Sequence, residues 1–253
     1  MNSIYRVLLL ACLVGAASPA PAQSLGERVF GASTDVVRMS FPARADLCVR
    51  GGNGVWRQGF DSNWWRPCED GPVRVQAWKD GPRITALRTY VGGAWRASVD
   101  ATDLGDVSAE AASDWLLDLA AAAAPSVAED AIDPAVMADV PDPWVTLLDL
   151  GRDHDLAEDV RERAIFWVGQ SAAREATQGL AELAESETET GRIQQAAVFA
   201  LSQRDEPERI DHLLRVAQTH PNPEVVRSAF FWLAESADDR AIQFFEEVLL
   251  RRQ

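Results

Sequence analysis

The sequence predicts a mostly α chain: an α-solenoid preceded by a small, disulfide-stapled β region. Three observations predict it. Two apolar registers recur together every 32 or 33 residues after position 108, a period-two alternation runs before position 105, and Cys48 and Cys68 form an even pair early in the chain. Helix pairs that share one apolar period cannot bury their faces alone, so neighbours must stack.

The helical part opens at Ser108, a plausible N-cap with Glu110 in the first turn. Val127-x-x-x-Ala131 recurs as Val160-x-x-x-Ala164, Ile193-x-x-x-Ala197 and Val225-x-x-x-Ala229, in steps of 33, 33 and 32 residues. Leu147/Leu150, Leu180/Leu183, Leu213/Val216 and Phe245/Val248 keep the same steps in the alternating helices. About four helix pairs are therefore expected over residues 106–253.

Residues 23–105 read as β and turn. Val37, Met39 and Phe41 alternate with Arg38 and Ser40, and Val73, Val75 and Ala77 alternate with Arg74 and Gln76. That is the signal of half-buried strands. The turn Lys79-Asp80-Gly81-Pro82 should join the second run to Arg83–Val91 as a hairpin. Gly51-Gly52-Asn53-Gly54 and Asp61-Ser62-Asn63-Trp64-Trp65 are loop chemistry. A region this small needs a staple. A Cys48–Cys68 disulfide would close a loop of about 21 residues and contribute roughly 3 kcal/mol in the chain-entropy model. Two cysteines with no histidine before His154 do not make a zinc site.

The first 22 residues read as a signal peptide. Arg6 supplies the positive charge, Val7 to Ala17 the apolar run, and Ala20-Pro21-Ala22 the small residues before a cut after Ala22. A lipoprotein box at Leu9-Leu10-Ala11-Cys12 is the minor alternative. A cleaved chain would be periplasmic or secreted, where disulfides persist. No second apolar stretch is long enough to span a bilayer.

Asp159-Val160-Arg161-x-x-Ala164-x-x-x-Val168-Gly169 resembles the second helix of a HEAT repeat, and Pro223-Glu224-Val225-Val226-Arg227-x-Ala229 is similar with its arginine displaced by one. The period is closer to the short HEAT-like variety, including that of bilin lyases. The Thr-Pro-Leu-His signature of ankyrin repeats and the tetratricopeptide pattern are both missing. The whole chain also resembles exported HEAT-repeat proteins of unassigned function, through Phe166-Trp167-Val168-Gly169-Gln170-Ser171 and Tyr90-Val91-Gly92-Gly93-Ala94-Trp95. The resemblance implies a protein-binding scaffold. An enzyme resembling bilin lyases is the alternative, and export argues against it.

On a helical wheel with Ala164 at zero, Val160, Trp167, Val168 and Ser171 fall on the buried stripe, and Phe166 lies about 160° away. Its equivalents are Phe199 and Phe231, flanked by Gln170, Gln203 and Glu235. The array should present these six residues as a ladder for a partner protein or peptide, unless the rings lean sideways into neighbouring repeats. Trp167 and Trp232 read as core. Trp56, Trp64 and Trp65 could serve a small molecule or glycan, or pack around the disulfide.

Charge narrows the partner. Residues 24–105 carry 11 basic against 9 acidic side chains, and residues 106–253 carry 12 against 30. An acidic solenoid repels phosphate backbones, which excludes nucleic acid and would favour a basic partner segment. The only lysine is Lys79. The three histidines, His154, His212 and His220, read as surface residues; the last two are about 12 Å apart along a helix. No G-x-S-x-G is present, and Gly51-Gly52-Asn53-Gly54 lacks the lysine and following helix of a phosphate loop. The sequence implies no cofactor, no metal and no catalytic constellation.

Overall fold

The computed structural model describes residues 23–45, 71–95 and 100–250. The expected leader, Cys48 and Cys68 with their disulfide, and Trp56, Trp64 and Trp65 all lie outside the described residues.

Helix α1 (Leu25–Gly31) starts the described chain under a capping box, with Ser24 and Glu27 each accepting from the other's backbone. Four strands follow: β1 (Val36–Phe41), β2 (Val73–Asp80), β3 (Arg83–Val91) and β4 (Thr102–Asp106). They make one sheet in the order β3-β2-β1-β4. β2 and β3 form the expected antiparallel hairpin through Gly81, which needs its positive φ of 58° at the turn. β1 pairs antiparallel with β2 and parallel with β4. The alternation has its expected result: Val37, Met39, Phe41, Val73, Val75 and Ala77 are all buried.

The helices come as antiparallel pairs. They are α2 (Ala109–Ala122) with α3 (Pro125–Met137), α4 (Trp144–Arg152) with α5 (Glu158–Gly169), α6 (Glu175–Glu185) with α7 (Gly191–Ser202), and α8 (Glu208–Thr219) with α9 (Pro223–Glu235). A further helix, α10 (Asp239–Leu250), packs on α8 and α9. The second helices α3, α5, α7 and α9 stack in one row and the first helices α4, α6 and α8 in another. Val127, Val160, Ile193 and Val225, with Ala131, Ala164, Ala197 and Ala229, are at most 1% exposed. Those pairs are the seam of the stack, and the alanines let the helices approach closely. Ser108, Thr190 and Asn222 cap α2, α7 and α9 by accepting from backbone N–H groups.

The sheet closes one end of the array. β2 and β3 pack on α3, and β1 runs on into an isolated bridge between Ala43 and Ala138. Arg44 N–H donates to Met137 O and Asp139 N–H to Pro42 O, both at 3.0 Å. One continuous hydrophobic core therefore runs from Leu25 to Phe244.

Two registers shift from their sequence positions. Helix α5 ends at Gly169, so Ser171 is not on the buried stripe; its Oγ donates to Asp142 at 2.5 Å. In α10 the buried pair is Ala241 and Phe244, with Phe245 and Val248 only partly buried. The α9–α10 connection spans 236–238, with Ala237 at φ 50°, where the α7–α8 connection spans 203–207. The shorter link rotates α10 away from the expected face.

Two buried arginines lock the layers. Arg161, 3% exposed, donates from Nε to Gly151 O at 3.0 Å and from Nη2 to the buried Glu189 at 2.6 Å. Gln194 stands 33 residues on and donates to Ser186 O at 2.7 Å, so α5 and α7 each tie off the end of their own first helix. Arg204, also 3% exposed, reaches Thr177 Oγ1 at 3.0 Å, Ala173 O at 2.5 Å, Glu206 at 2.9 Å, Val168 O at 3.2 Å and Ser171 O.

Close approach of α5 and α7 depends on Gly169. A Cβ there would stand 2.9 Å from both Cα and Cβ of Ala200. Gly169→Ala is expected to destabilise the chain by about 1–3 kcal/mol in denaturant unfolding, because backbone must move to make room. Gly31→Ala meets nothing within 4 Å and should stay within about 0.5 kcal/mol of the parent.

Candidate functional site

The second helices carry the residues the wheel singled out, and stacking decides where their rings go. Phe166 lies nearly parallel to Phe199, with centroids 6.3 Å apart and planes at 14°. Phe199 then meets Trp232 at 5.0 Å and 48°, rather than Phe231. Phe166 thus meets its direct equivalent in the next layer, whereas Phe199 meets the residue one beyond its own equivalent. Between α3 and α5 the contact is again offset by one: Asp133 occupies the ladder position of α3 and accepts from Trp167 Nε1 at 2.9 Å. The continuous row is therefore Asp133, Trp167, Phe166, Phe199 and Trp232.

This corrects two expectations. Phe231 is not a rung between its neighbours; it is 55% exposed and, among the described residues, its ring meets that of Trp232 alone, edge-on at 4.9 Å. Trp232 is not core; it is partly exposed and takes the rung that Phe231 was expected to fill. Trp167 is 5% exposed, as expected of a core residue. Phe166 and Phe199 are half-buried, so each offers one ring face or edge while the other packs sideways. Gln170 and Gln203 follow the ends of α5 and α7, and Glu235 closes α9. Gln203 is exposed and donates to Ser202 Oγ at 3.0 Å, Gln170 is half-buried, and Glu235 is exposed.

One end of the row is acidic. Glu129, Asp130 and Asp133 share α3, and Arg163 from α5 answers them at 3.3 Å from Glu129 and 3.8 Å from Asp133. One guanidinium faces three carboxylates. Partial burial, then the charges of Glu129 and Asp133, push the Asp130 carboxyl above its ordinary range, with Arg163 opposing. Elsewhere the layers are tied by exposed ion pairs about one repeat apart, including Arg152–Glu182 at 2.5 Å, Arg174–Glu208 at 2.8 Å and Arg240–Asp211 at 2.9 Å. Such pairs contribute little individually.

The histidines do not converge. His154 is largely exposed, with Nε2 3.3 Å from Glu189. His220 caps the end of α8 and its Nδ1 accepts from Asn222 N–H at 3.1 Å. His212, expected on the surface, is mostly buried at the edge of an open cleft of about 470 Å³ that Arg174, Glu175, Thr177, Glu206 and Glu208 also line. No group of three or more metal-binding side chains occurs among the described residues. No described helix is long and apolar enough to cross a membrane.

Stacked helix pairs with a half-exposed row of rings along their second helices define an α-solenoid. Within that class, residues 146–234, which run from within α4 to within α9, match a family model described as HEAT repeats. No curated protein matches the chain.

Sequence reasoning missed Arg161 and Arg204 as organising residues. Arg161 stands inside the quoted repeat motif, so its position was a usable signal. Arg204 sits in Gln203-Arg204-Asp205-Glu206, which reads as a solvated charge run.

A raised Asp130 pKa means the folded state holds that proton more tightly than the unfolded chain, whose carboxyl titrates near pH 4. The ionised carboxylate therefore opposes folding at neutral pH, and the penalty disappears as pH falls below about 4, where both states are protonated. Asp130→Asn should stabilise the chain at pH 7 by up to about 0.5 kcal/mol after solvent screening. Thermal melts should converge below about pH 4.

Proposed function

We propose that this chain is an exported, non-enzymatic scaffold that binds a partner protein along the second-helix face of its HEAT repeats. The observation that carries the reading is the row Phe166–Phe199–Trp232, half-exposed and continuous across three layers, with the Glu129/Asp130/Asp133 cluster at one end. Aromatic side chains on a rigid frame anchor partners at low entropic cost, and helix faces of this kind take extended or helical segments. HEAT repeats commonly mediate protein–protein contact, which supports the same reading.

The partner's chemistry follows from charge. A segment with a basic residue beside apolar ones suits the row: the cation would relieve the carboxylates around Asp130, and the apolar groups would lie on the rings. The strongly acidic repeats make a nucleic-acid partner unfavourable. Export rests on Arg6, the apolar run Val7 to Ala17 and cleavage after Ala22, which fits a Cys48–Cys68 disulfide in an oxidising compartment.

Affinity copurification of the tagged mature chain from the envelope of its source tests the proposal, comparing wild type, Phe199→Arg and Glu129→Lys/Asp130→Lys. Phe199→Arg is expected to lose about 1–2 kcal/mol of stability with its ring contacts, to keep its helical circular dichroism, and to recover about tenfold less of the partner. The charge-reversed variant should lose the same partner without loss of fold. Full retention of the partner by both variants would move binding off this face. Unfolding of Phe199→Arg would make the row core instead.

A further inference from the structure

We propose that the sheet carries a second binding surface: an extended acidic peptide adds to β3 as a fifth strand, its carboxylates meeting arginines on the face turned away from α3.

Alternation settles which side chains share that face. Val73, Val75 and Ala77 of β2 point into the core, so Arg74, Gln76 and Trp78 point outward. The register sets Arg38 and Arg88 on either side of Gln76, and Ser40 and Tyr90 on either side of Arg74. Arg38 and Arg74 both lie over the ring of Trp95, at 5.3 and 5.9 Å, and Arg88 lies over Trp78 at 5.4 Å. A guanidinium held flat on a ring keeps its in-plane N–H groups for hydrogen bonds, and that fork matches a carboxylate.

The charges on this face are answered incompletely. Carboxylates outnumber basic side chains 39 to 24 in the chain, and in the repeats Arg152, Arg163, Arg174, Arg192 and Arg240 each face at least one. Of the arginines on the sheet face, only Arg38 does, donating to Asp103 at 2.9 Å. Arg74 donates instead to Gly92 O at 2.6 Å. Arg88 has its ring contact and no hydrogen bond or ion pair to a described residue. Positive charge is therefore left open toward β3, while Asp103 and Asp106 make the β4 side acidic.

The backbone selects a peptide as the occupant. β3 is an outer strand, nine residues long, and pairs with β2 on one side. Its other edge has no backbone partner among the described residues, and Thr85, Ala86 and Arg88 are exposed there. Such an edge is a template for another strand. A charged side chain can guard an edge, but the guanidinium of Arg88 leans back onto Trp78 of β2, away from it. An added strand places every second side chain on the face of Arg88 and Tyr90 and the others beside Leu87 and Val91. The segment that fits alternates carboxylates with apolar residues. A nucleic acid has no backbone amides to continue the ladder, and the acidic repeats repel it. This charge preference is the reverse of the one proposed for the aromatic row, so the two surfaces take different segments.

Titration calorimetry of the full mature chain tests this with a blocked peptide of alternating glutamate and valine, as long as β3. Wild type is expected to bind it with a dissociation constant below about 1 mM, and to bind the lysine–valine analogue at least about tenfold less tightly. Arg88→Glu changes one exposed side chain, so its melt should match wild type while its affinity for the peptide falls at least about tenfold. Methylating every backbone nitrogen of the peptide removes its ladder donors and should abolish binding. Phe199→Arg should leave the affinity unchanged, which separates this surface from the aromatic row. A wild-type chain that does not bind the glutamate peptide below about 1 mM overturns the proposal. So does equal binding of the lysine analogue or of the methylated peptide, or an affinity that Arg88→Glu leaves unchanged.

Discussion

The guanidinium of Arg204 is the contact on which the alignment of the central layers depends. It is buried in the most acidic part of the chain, yet only one of its partners, Glu206, is a carboxylate. The others are the Thr177 hydroxyl and the carbonyls of Val168, Ser171 and Ala173, which belong to the end of α5, the loop after it and the start of α6. Val168 O and Ala173 O already accept from the Ser171 and Ala176 N–H groups, so the guanidinium adds a second donor to them and gathers the turn around one charge. A planar, permanently charged fork can serve them at once; a lysine could not. One side chain from the end of α7 thereby sets how the α6–α7 layer sits on α5.

That alignment has consequences along the stack. Because α5 and α7 are held close enough for Gly169 to touch Ala200, Phe166 and Phe199 lie in parallel contact. The offset between layers sends each ring toward the next helix, so the row passes from Phe199 to Trp232 and leaves Phe231 at the edge. At the other side the sheet covers α3 and gives the end of that helix strand-like partners in Pro42 and Arg44.

The sequence was most informative where burial is periodic. Val160/Ala164 and its repeats are buried as their spacing requires, and the alternation in β1 and β2 buries its apolar positions, although Gln76, expected outside, is buried as well. It was least informative where position depends on a neighbour in space. A wheel drawn for one helix puts Phe231 beside Phe199, but the offset between layers, which no single helix encodes, selects Trp232. The step from α8 to α10 was misjudged by one residue because Phe245 and Val248 are apolar in either register, and the three-residue link that decides between them carries no apolar period. The parallel pairing of β1 with β4 across more than sixty residues likewise leaves no local trace.

Equilibrium unfolding of Arg204→Met beside Arg204→Lys tests the account most directly, since both remove the fork while preserving much of its volume. If the junction is held as described, each variant loses about 3–5 kcal/mol relative to wild type, and the restored charge of lysine recovers little of it. An Arg204→Met chain within about 0.5 kcal/mol of wild type would show that apolar stacking alone fixes the layers, and that the alignment of the aromatic row does not depend on this residue.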